Sequence, residues 1–368
     1  MTVSDIIASI ESWAPKEIAW ERDNVGLQLG DPATDVEGIL VCLDVSEETL
    51  TEARDRKANF VICHHPLLFK PLRNLLAGDS VAGCVRLAAH YGIDIYAAHT
   101  NLDFTSGGTS FALAHTLGLS SVDFLVKSYK TKKKIITYVP PSHADSVAEA
   151  MAHVGAGRIG NYDLCSFRTA GTGTFRGNEH SNPRTGRKGR MERTDETRLE
   201  MIVDEWNVGA AISALNGAHP YEEVAYEVYP TENISNEYGT GAIGVLKNAL
   251  RPRTFLGSIK KQLGSRGLKC SGITTGMIKR VALCGGSGSE LIEEAIRQKA
   301  DAFVTADVKY HAFRDAGNRI LFIDAGHYET EFPVVRVMAQ RIRYFVRRQG
   351  SAIPVAVSRR SPNPIMYA

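Results

Sequence analysis

The sequence predicts an α/β protein: an outer two-part α/β domain with mainly parallel sheets, interrupted by a ferredoxin-like α+β insert. Three observations carry this. Residues 1–126 alternate runs of strand and helix period, the pattern of parallel strands covered by helices. At Lys127 the pattern breaks into a stretch bearing Lys127, Lys130, Lys132, Lys133 and Lys134, and a segment with its own logic follows. After Lys247 the alternation resumes, so the division is 1–126, 127–247 and 248–368.

In the first part, Ile6, Ile7, Ile10 and Trp13 have helical spacing. Residues 38–45 read as strand, 47–57 as a polar helix, 59–63 as strand, 81–91 as helix, 94–98 as strand and 110–117 as helix. In the insert, 135–139 is strand, 144–154 helix, and 162–167 with 173–176 a hairpin; 199–203 is strand, 208–215 helix and 224–228 strand. That order approximates a ferredoxin-like unit, with a polar loop over 177–197. The last part reads as helix 255–263, strands 273–275 and 281–284, helix 290–299, strand 302–305, a short helix near His311, and strand 320–323. The final helix, about 331–348, sets Val334, Val335, Met338, Ile342, Phe345 and Val346 on one stripe. Pro333 is tolerable only in a first turn, which predicts a start near Thr330, with His327 just outside and Glu331 just inside.

A length of 368 residues suggests two domains or three, and a hydrophobic share of 43% allows a sizeable core. Lys plus Arg at 43 against Asp plus Glu at 41 gives no global pull towards nucleic acid or an anionic membrane. The six cysteines contain no C-x-x-C pair and most lie in apolar runs, as expected of buried thiols in a reducing compartment. The first ten residues have no basic n-region, and no run of about 18 apolar residues occurs. The expected location is the cytoplasm.

Three polar clusters each follow a predicted strand. Val61-Ile62-Cys63 ends in His64-His65-Pro66, where the proline takes the backbone out of the sheet. His99-Thr100-Asn101-Leu102-Asp103 follows the second run, and Gly326-His327-Tyr328-Glu329-Thr330-Glu331 the third. Sites in open α/β sheets lie at carboxyl strand ends, so imidazoles and carboxylates recurring there point to a metal site. Nitrogen and carboxylate donors suit zinc, iron, manganese or nickel.

These stretches, with Thr305-Ala306-Asp307-Val308-Lys309-Tyr310-His311, resemble the motifs of the Ngg-interacting-factor-like dinuclear metal-centre family, whose bacterial members are often named GTP cyclohydrolase I type 2 homologues. Asp23-Asn24-Val25-Gly26-Leu27 and Cys284-Gly285-Gly286-Ser287-Gly288 are similar to its other signature turns. Gly157-Arg158-Ile159-Gly160-Asn161-Tyr162 and Ala218-His219-Pro220-Tyr221-Glu222-Glu223 resemble the CutA/PII-like insert of the longer bacterial members. Ala306 departs from the family's usual glycine. The resemblance implies two divalent ions per chain, zinc or iron foremost, held by His64, His65, Asp103, His327 and Glu331, with one carboxylate bridging. It also implies a homo-oligomer, a toroidal hexamer with the sites facing an internal cavity.

Two adjacent ions acidify a shared water and clamp a phosphate or carbonyl oxygen, and open coordination positions mark a catalytic site. The expected function is therefore a metal-dependent hydrolase acting on a nucleotide or another small phosphorylated or cyclic compound. His99 and His311 are the candidates for proton transfer or substrate contact. A non-catalytic metal-binding or regulatory ring is the alternative reading; nucleic acid is disfavoured by the near-neutral charge, and no membrane partner is expected. The Cys284–Gly288 run reads as a tight turn before a phosphate cradle. Arg176, Arg184, Arg187, Lys188 and Arg190 read as a solvated loop. His219-Pro220 reads as a structural turn.

Overall fold

The structure, a computed structural model, describes residues 1–76, 78–129, 131–272 and 276–366. The chain divides into two compact units, Met1–Lys127 with Asn236–Ala368, and Ser128–Ser235.

The first unit begins with α1 (Val3–Glu11), β1 (Gly26–Leu29), β2 (Ile39–Cys42), α2 (Glu47–Asp55), β3 (Phe60–Cys63), α3 (Ser80–Tyr91), β4 (Asp94–Ala97), α4 (Thr100–Asp103), α5 (Thr109–Thr116) and β5 (Leu119–Tyr129). The helix starts follow local chemistry. Thr2 and Asp5 form a capping box on α1, and Ser46 accepts from the Thr49 amide on α2. Asp79 caps α3, which Gly92 ends in the left-handed region at φ 63°.

The second unit contains β6 (Lys132–Val139), α6 (Ala144–His153), β7 (Phe167–Phe175), β8 (Glu192–Asp204), α7 (Val208–Ala218) and β9 (Tyr226–Pro230). Its four strands pair antiparallel in the order β7-β8-β6-β9, with the core of Ile135, Val139, Leu199, Met201 and Val203 packed against Val147, Met151, Ala211 and Leu215 of the two helices. The connectivity is that of a split β-α-β unit.

The chain then returns to the first unit through β10 (Ile234–Leu250), α8 (Pro252–Leu263), β11 (Lys269–Cys270), β12 (Ile278–Ser287), α9 (Ile292–Arg297), β13 (Ala302–Ala306), α10 (Tyr310–Ala316), β14 (Leu321–Asp324), α11 (His327–Arg348) and β15 (Val355–Val357). Two sheets result. The five-stranded sheet, β1-β4-β3-β2-β15, is parallel except for β1. The six-stranded sheet is β11-β14-β13-β12-β10-β5. β2, β3, β4, β13 and β14 are buried along their whole lengths, as strands covered on both faces must be. The stripe of α11 joins one face of the five-stranded sheet through Val334, Val335, Met338, Ile342 and Val346.

The structure corrects several expectations. The six-stranded sheet is mixed: its β12-β13 and β13-β14 pairs are parallel, whereas β10 pairs antiparallel with β12 and β11 with β14. Residues 162–167 and 173–176 form no hairpin; β7 is one strand paired with β8 over Phe167↔Glu200 to Phe175↔Glu192. Its Thr/Gly-rich sequence is largely exposed, so no hydrophobic period marks it. Residues 236–247, read as the end of the insert, belong to the first unit, where β10 pairs with β12 over Ala242↔Leu283 to Val245↔Arg280. Strand 273–275 and Lys130 lie outside the described residues. The other lysines of that stretch are neutralised rather than grouped as a patch: Lys127 pairs with Asp123, Lys132 with Asp204, Lys133 with Glu205 and Lys134 with Glu200. Not every thiol is buried, since Cys270 is exposed and Cys165 half-buried; all six are free.

α11 also begins earlier than expected, at His327, with Pro333 inside it. Proline withholds the amide that the Glu329 carbonyl would accept. The first turn holds by other means: the Thr330 amide donates to the Gly326 carbonyl at 3.1 Å, and the Thr330 hydroxyl is shared between the Gly326 and His327 carbonyls, each 2.9 Å away.

Candidate metal centre

β3 ends at Cys63, and the His65 amide then donates to the Leu43 carbonyl at 3.0 Å as the chain leaves the sheet. The strand alternation that would send adjacent side chains to opposite faces therefore lapses, and the His64 and His65 rings lie 5.1 Å apart. His99 follows β4 and opens α4, whose last residue is Asp103. Its ring stands 5.3 Å from that of His64 and 5.5 Å from that of His65. From the six-stranded sheet come His327, the first residue of α11, and Glu331 one turn later. The structure thus gathers six of the seven sequence-selected residues. His311 is set apart: it is exposed on α10 with its ring against Tyr310, because the short helix turns it outwards.

Each of the four gathered imidazoles has its Nδ1 against an oxygen. His64 Nδ1 donates to the Ala98 carbonyl at 2.8 Å, His65 Nδ1 to Asp44 at 2.7 Å, His99 Nδ1 to Asp23 at 2.9 Å, and His327 Nδ1 to Asp307 at 2.6 Å. An acceptor at Nδ1 keeps the proton there and leaves the Nε2 lone pair for the centre, the arrangement that orients metal-binding histidines. Nitrogen and oxygen donors converge in two groups, His64 with His65 and His99, and His65 with His327 and Glu331, the donor atoms of each group lying within 4.8 Å of one another.

Glu331 spans the middle. Its Oε2 lies 2.8 Å from His65 Nε2 and 2.9 Å from His327 Nε2, and its Oε1 lies 3.9 Å from His64 Nε2. On the His64 side, His64 Nε2 and Asp103 Oδ1 are buried, 3.5 Å apart, and neither has a hydrogen-bond partner. Leaving such atoms unmet in the interior is costly, and a cation between them would meet both.

The electrostatics follow the same division. Burial pushes His64 down to about 3, so its imidazole is neutral. Burial also acts to lower His65, but Asp44 and Glu331 outweigh it and raise the ring to about 10; on His327 the same opposition, with Glu331 and Asp307 prevailing, gives about 9. Burial and the charge of Glu331 raise Asp103 to about 7. Burial opposes ionisation of Glu331 too, yet the surrounding imidazoles hold it well below the ordinary range. The donor set fits a divalent metal: four oriented imidazoles and two carboxylates, one of them in need of a positive neighbour.

The Cys284–Gly288 run serves this centre rather than an anion. A Cβ on Gly286, whose φ is +65°, would lie 2.0 Å from Glu331 Oε1, so only glycine lets the strand pass beneath that carboxylate. The Gly285 and Gly286 amides donate to Ser110 and Thr330 side chains at 3.2 and 3.0 Å, which leaves neither for a phosphate. His219 is structural, with Nε2 donating to the Tyr138 carbonyl at 3.1 Å and Nδ1 accepting from the Tyr221 amide at 3.1 Å. In the insert, Arg176 and Arg184 line a cavity of about 640 Å³ with Tyr138, Glu196 and Arg198.

Asp44 and the roles of Asp23 and Asp307 escape a reading of the sequence alone. Asp44 and Asp307 follow β2 and β13 and Asp23 precedes β1, but a lone aspartate at such a place resembles any turn residue. One local signal exists after the fact: Asp307 holds φ +54°, a conformation few non-glycine residues adopt.

Comparison with known proteins agrees with this architecture. The family model Duf34/NIF3 (NGG1p interacting factor 3) matches residues 1–364. The chain is 35% identical over 340 residues to the "GTP cyclohydrolase 1 type 2 homolog" of Halalkalibacterium halodurans, covering 92% of this chain and 90% of that one. It is 34% identical over 364 residues to the protein of the same name from Bacillus subtilis, covering 98% and 97%. A Bacillus cereus protein described as related to NIF3 superposes with a TM-score of 0.88 at 34% identity, covering 100% of this chain and 99% of that one. Motifs, fold and similarity together place the chain in the Duf34/NIF3 (NGG1p interacting factor 3) family.

Proposed function

We propose that this protein holds two divalent ions and uses them to hydrolyse a nucleotide or another small phosphorylated or cyclic compound. One observation carries the reading: four imidazoles fixed at Nδ1 surround an unpartnered buried pair, His64 Nε2 and Asp103 Oδ1. His65, His327 and Glu331 Oε2 would hold one ion, and His64, Asp103 and Glu331 Oε1 the other, which makes Glu331 the bridge. Imidazole with carboxylate suits zinc or iron, with manganese or nickel as further candidates. Bound divalent ions supply an acidified water and polarise a phosphoryl or carbonyl oxygen.

The protein groups have separate tasks. Asp44 and Asp307 orient the His65 and His327 rings through Nδ1. His99 presents Nε2 beside both rings of the His64-His65 pair, with its other nitrogen held by Asp23, and is the group placed to take or give a proton. The name carried by the relatives makes GTP one member of the substrate panel, alongside other nucleotides, cyclic phosphodiesters and small phosphate esters.

The test is a turnover screen on chelator-stripped protein reloaded with zinc, iron, manganese or nickel. Turnover that needs the metal and falls at least about a hundredfold in His99→Ala supports the reading, in line with the usual contribution of a general acid or base. Two bound ions with no turnover on any class would make the protein a metal-binding or regulatory one instead. We also propose a homo-oligomer, a toroidal hexamer, which light scattering checks directly.

A further inference from the structure

The last described stretch of the chain makes a set of contacts that no catalytic role demands. After β15, the Ser358 amide donates to the Val41 carbonyl at 2.8 Å, and the chain then crosses α2. There Glu52, only 3% exposed, takes the Ser358 hydroxyl at 2.8 Å and the Arg359 and Arg360 amides at 2.9 Å each, while Arg56 Nε donates to its other oxygen at 2.8 Å. Those donors overcome the burial that opposes ionisation and hold the Glu52 carboxyl below its ordinary value. A buried carboxylate bonded to two successive main-chain amides is a latch, since its charge-assisted bonds hold both at once.

Beyond the latch the segment reaches both sides of one half of the metal centre. Ser361 Oγ lies 3.5 Å from both the amide and the carbonyl of Asp44, whose carboxylate orients His65. The Ser361 carbonyl accepts from the Tyr328 hydroxyl at 3.1 Å, and Asn363 Nδ2 donates to Glu329 at 3.0 Å. Tyr328 and Glu329 sit in the first turn of α11, between His327 and Glu331. The other half is held differently: His64 rests on Ala98, His99 on Asp23, and Asp103 on α4.

We infer that residues 358–363 are a positioning strap, latched by Glu52, that sets the distance between the Asp44–His65 pair and the start of α11 and so tunes the His65–His327 side of the centre more than the His64–Asp103 side, which shares only Glu331 with it. This rests on the two-ion reading above. The strap touches no proposed ligand. It acts through Asp44 on one side and through residues 328 and 329 on the other.

The test uses the full-length protein, stripped and titrated with Co²⁺, with calorimetry giving both affinities and visible absorption reporting each ion's coordination. His327→Ala and His64→Ala assign the two signals. Glu52→Ala releases the latch; Tyr328→Phe with Asn363→Ala cuts only the contacts to α11 and leaves the buried latch intact. In both variants the His65–His327–Glu331 ion should bind about 10–100-fold more weakly with an altered spectrum, the usual effect of removing an outer partner. The other ion, which shares only Glu331 with that half, should weaken less, by under about tenfold, below the low end of that range. Equal weakening of both ions, or unchanged affinities in both variants, overturns the strap. Wild-type protein that binds no Co²⁺ overturns the two-ion reading itself, a result distinct from either.

Discussion

Gly286→Ala tests the centre without replacing a proposed ligand. An alanine at φ +65° carries about 1–2 kcal/mol of left-handed strain. Its Cβ would stand 2.0 Å from Glu331 Oε1, where real Cβ contacts are not under 3.0 Å, so the carboxylate must retreat by at least 3.0 − 2.0 = 1.0 Å. That exceeds the tolerance of about 0.2 Å expected of a metal ligand. It also breaks the 2.8 and 2.9 Å contacts of Glu331 with His65 and His327. If Glu331 bridges, both ions should weaken by more than the roughly 10–100-fold that loss of an outer partner causes. Metal content after gel filtration and a Zn²⁺ titration read the affinities, and circular dichroism confirms the fold. A folded Gly286→Ala protein that keeps two ions at wild-type affinity would refute the bridging role and the reason given for the glycine.

Other outcomes follow from the same geometry. Reconstituted wild-type protein should hold close to two ions per chain by elemental analysis, and His65→Ala about one. Asp307→Asn should weaken one ion about 10–100-fold by loosening His327, measured by competition with a chromophoric chelator. Metal uptake should release protons. His65 and His327, raised to about 10 and 9, carry protons at neutral pH that an ion must displace, so affinity should climb with pH up to about pH 9–10. Without metal the sign reverses: stability from those raised groups is complete below pH 6.5 and is lost as pH rises through 9 to 10, which thermal unfolding across pH will show. Finally, Lys127 Nζ lies 2.9 Å from Asn236 Oδ1, so a short Gly/Ser linker replacing 128–235 should leave a folded core with its metal content intact. A folded but metal-free deletion would show that the insert helps to build the site.

Chemistry concentrated in short runs is legible in the sequence; chemistry spread over distant backbone is not. His64-His65-Pro66 announces itself because an apolar strand, two imidazoles and a proline are contiguous, and β2, β3 and β4 follow from unbroken apolar runs. The start of α11 departs from expectation because Pro333 obeys local rules that Thr330 and the His327–Glu331 pair override. β7 hides from a periodicity reading because its pairing with β8 rests on backbone bonds and a largely exposed Thr/Gly surface. In sequence His311 looks equivalent to His99, and only the fold gives His99 an aspartate behind it and imidazoles beside it. Glu52 resembles any helical glutamate until residues 358–360 are laid across it.

The centre joins parts of the chain made at different times. His65 and Glu331, 2.8 Å apart in the fold, are separated by 266 positions. At roughly 5–20 residues per second, synthesis leaves about 13–50 s between them. During that interval the nascent chain can expose His64, His65, His99 and Asp103 as half a site, with one wall and no bridge. On the two-ion reading, a metal captured early would meet a loose, exchangeable set of donors, and tight retention would begin only once α11 has left the ribosome and docked.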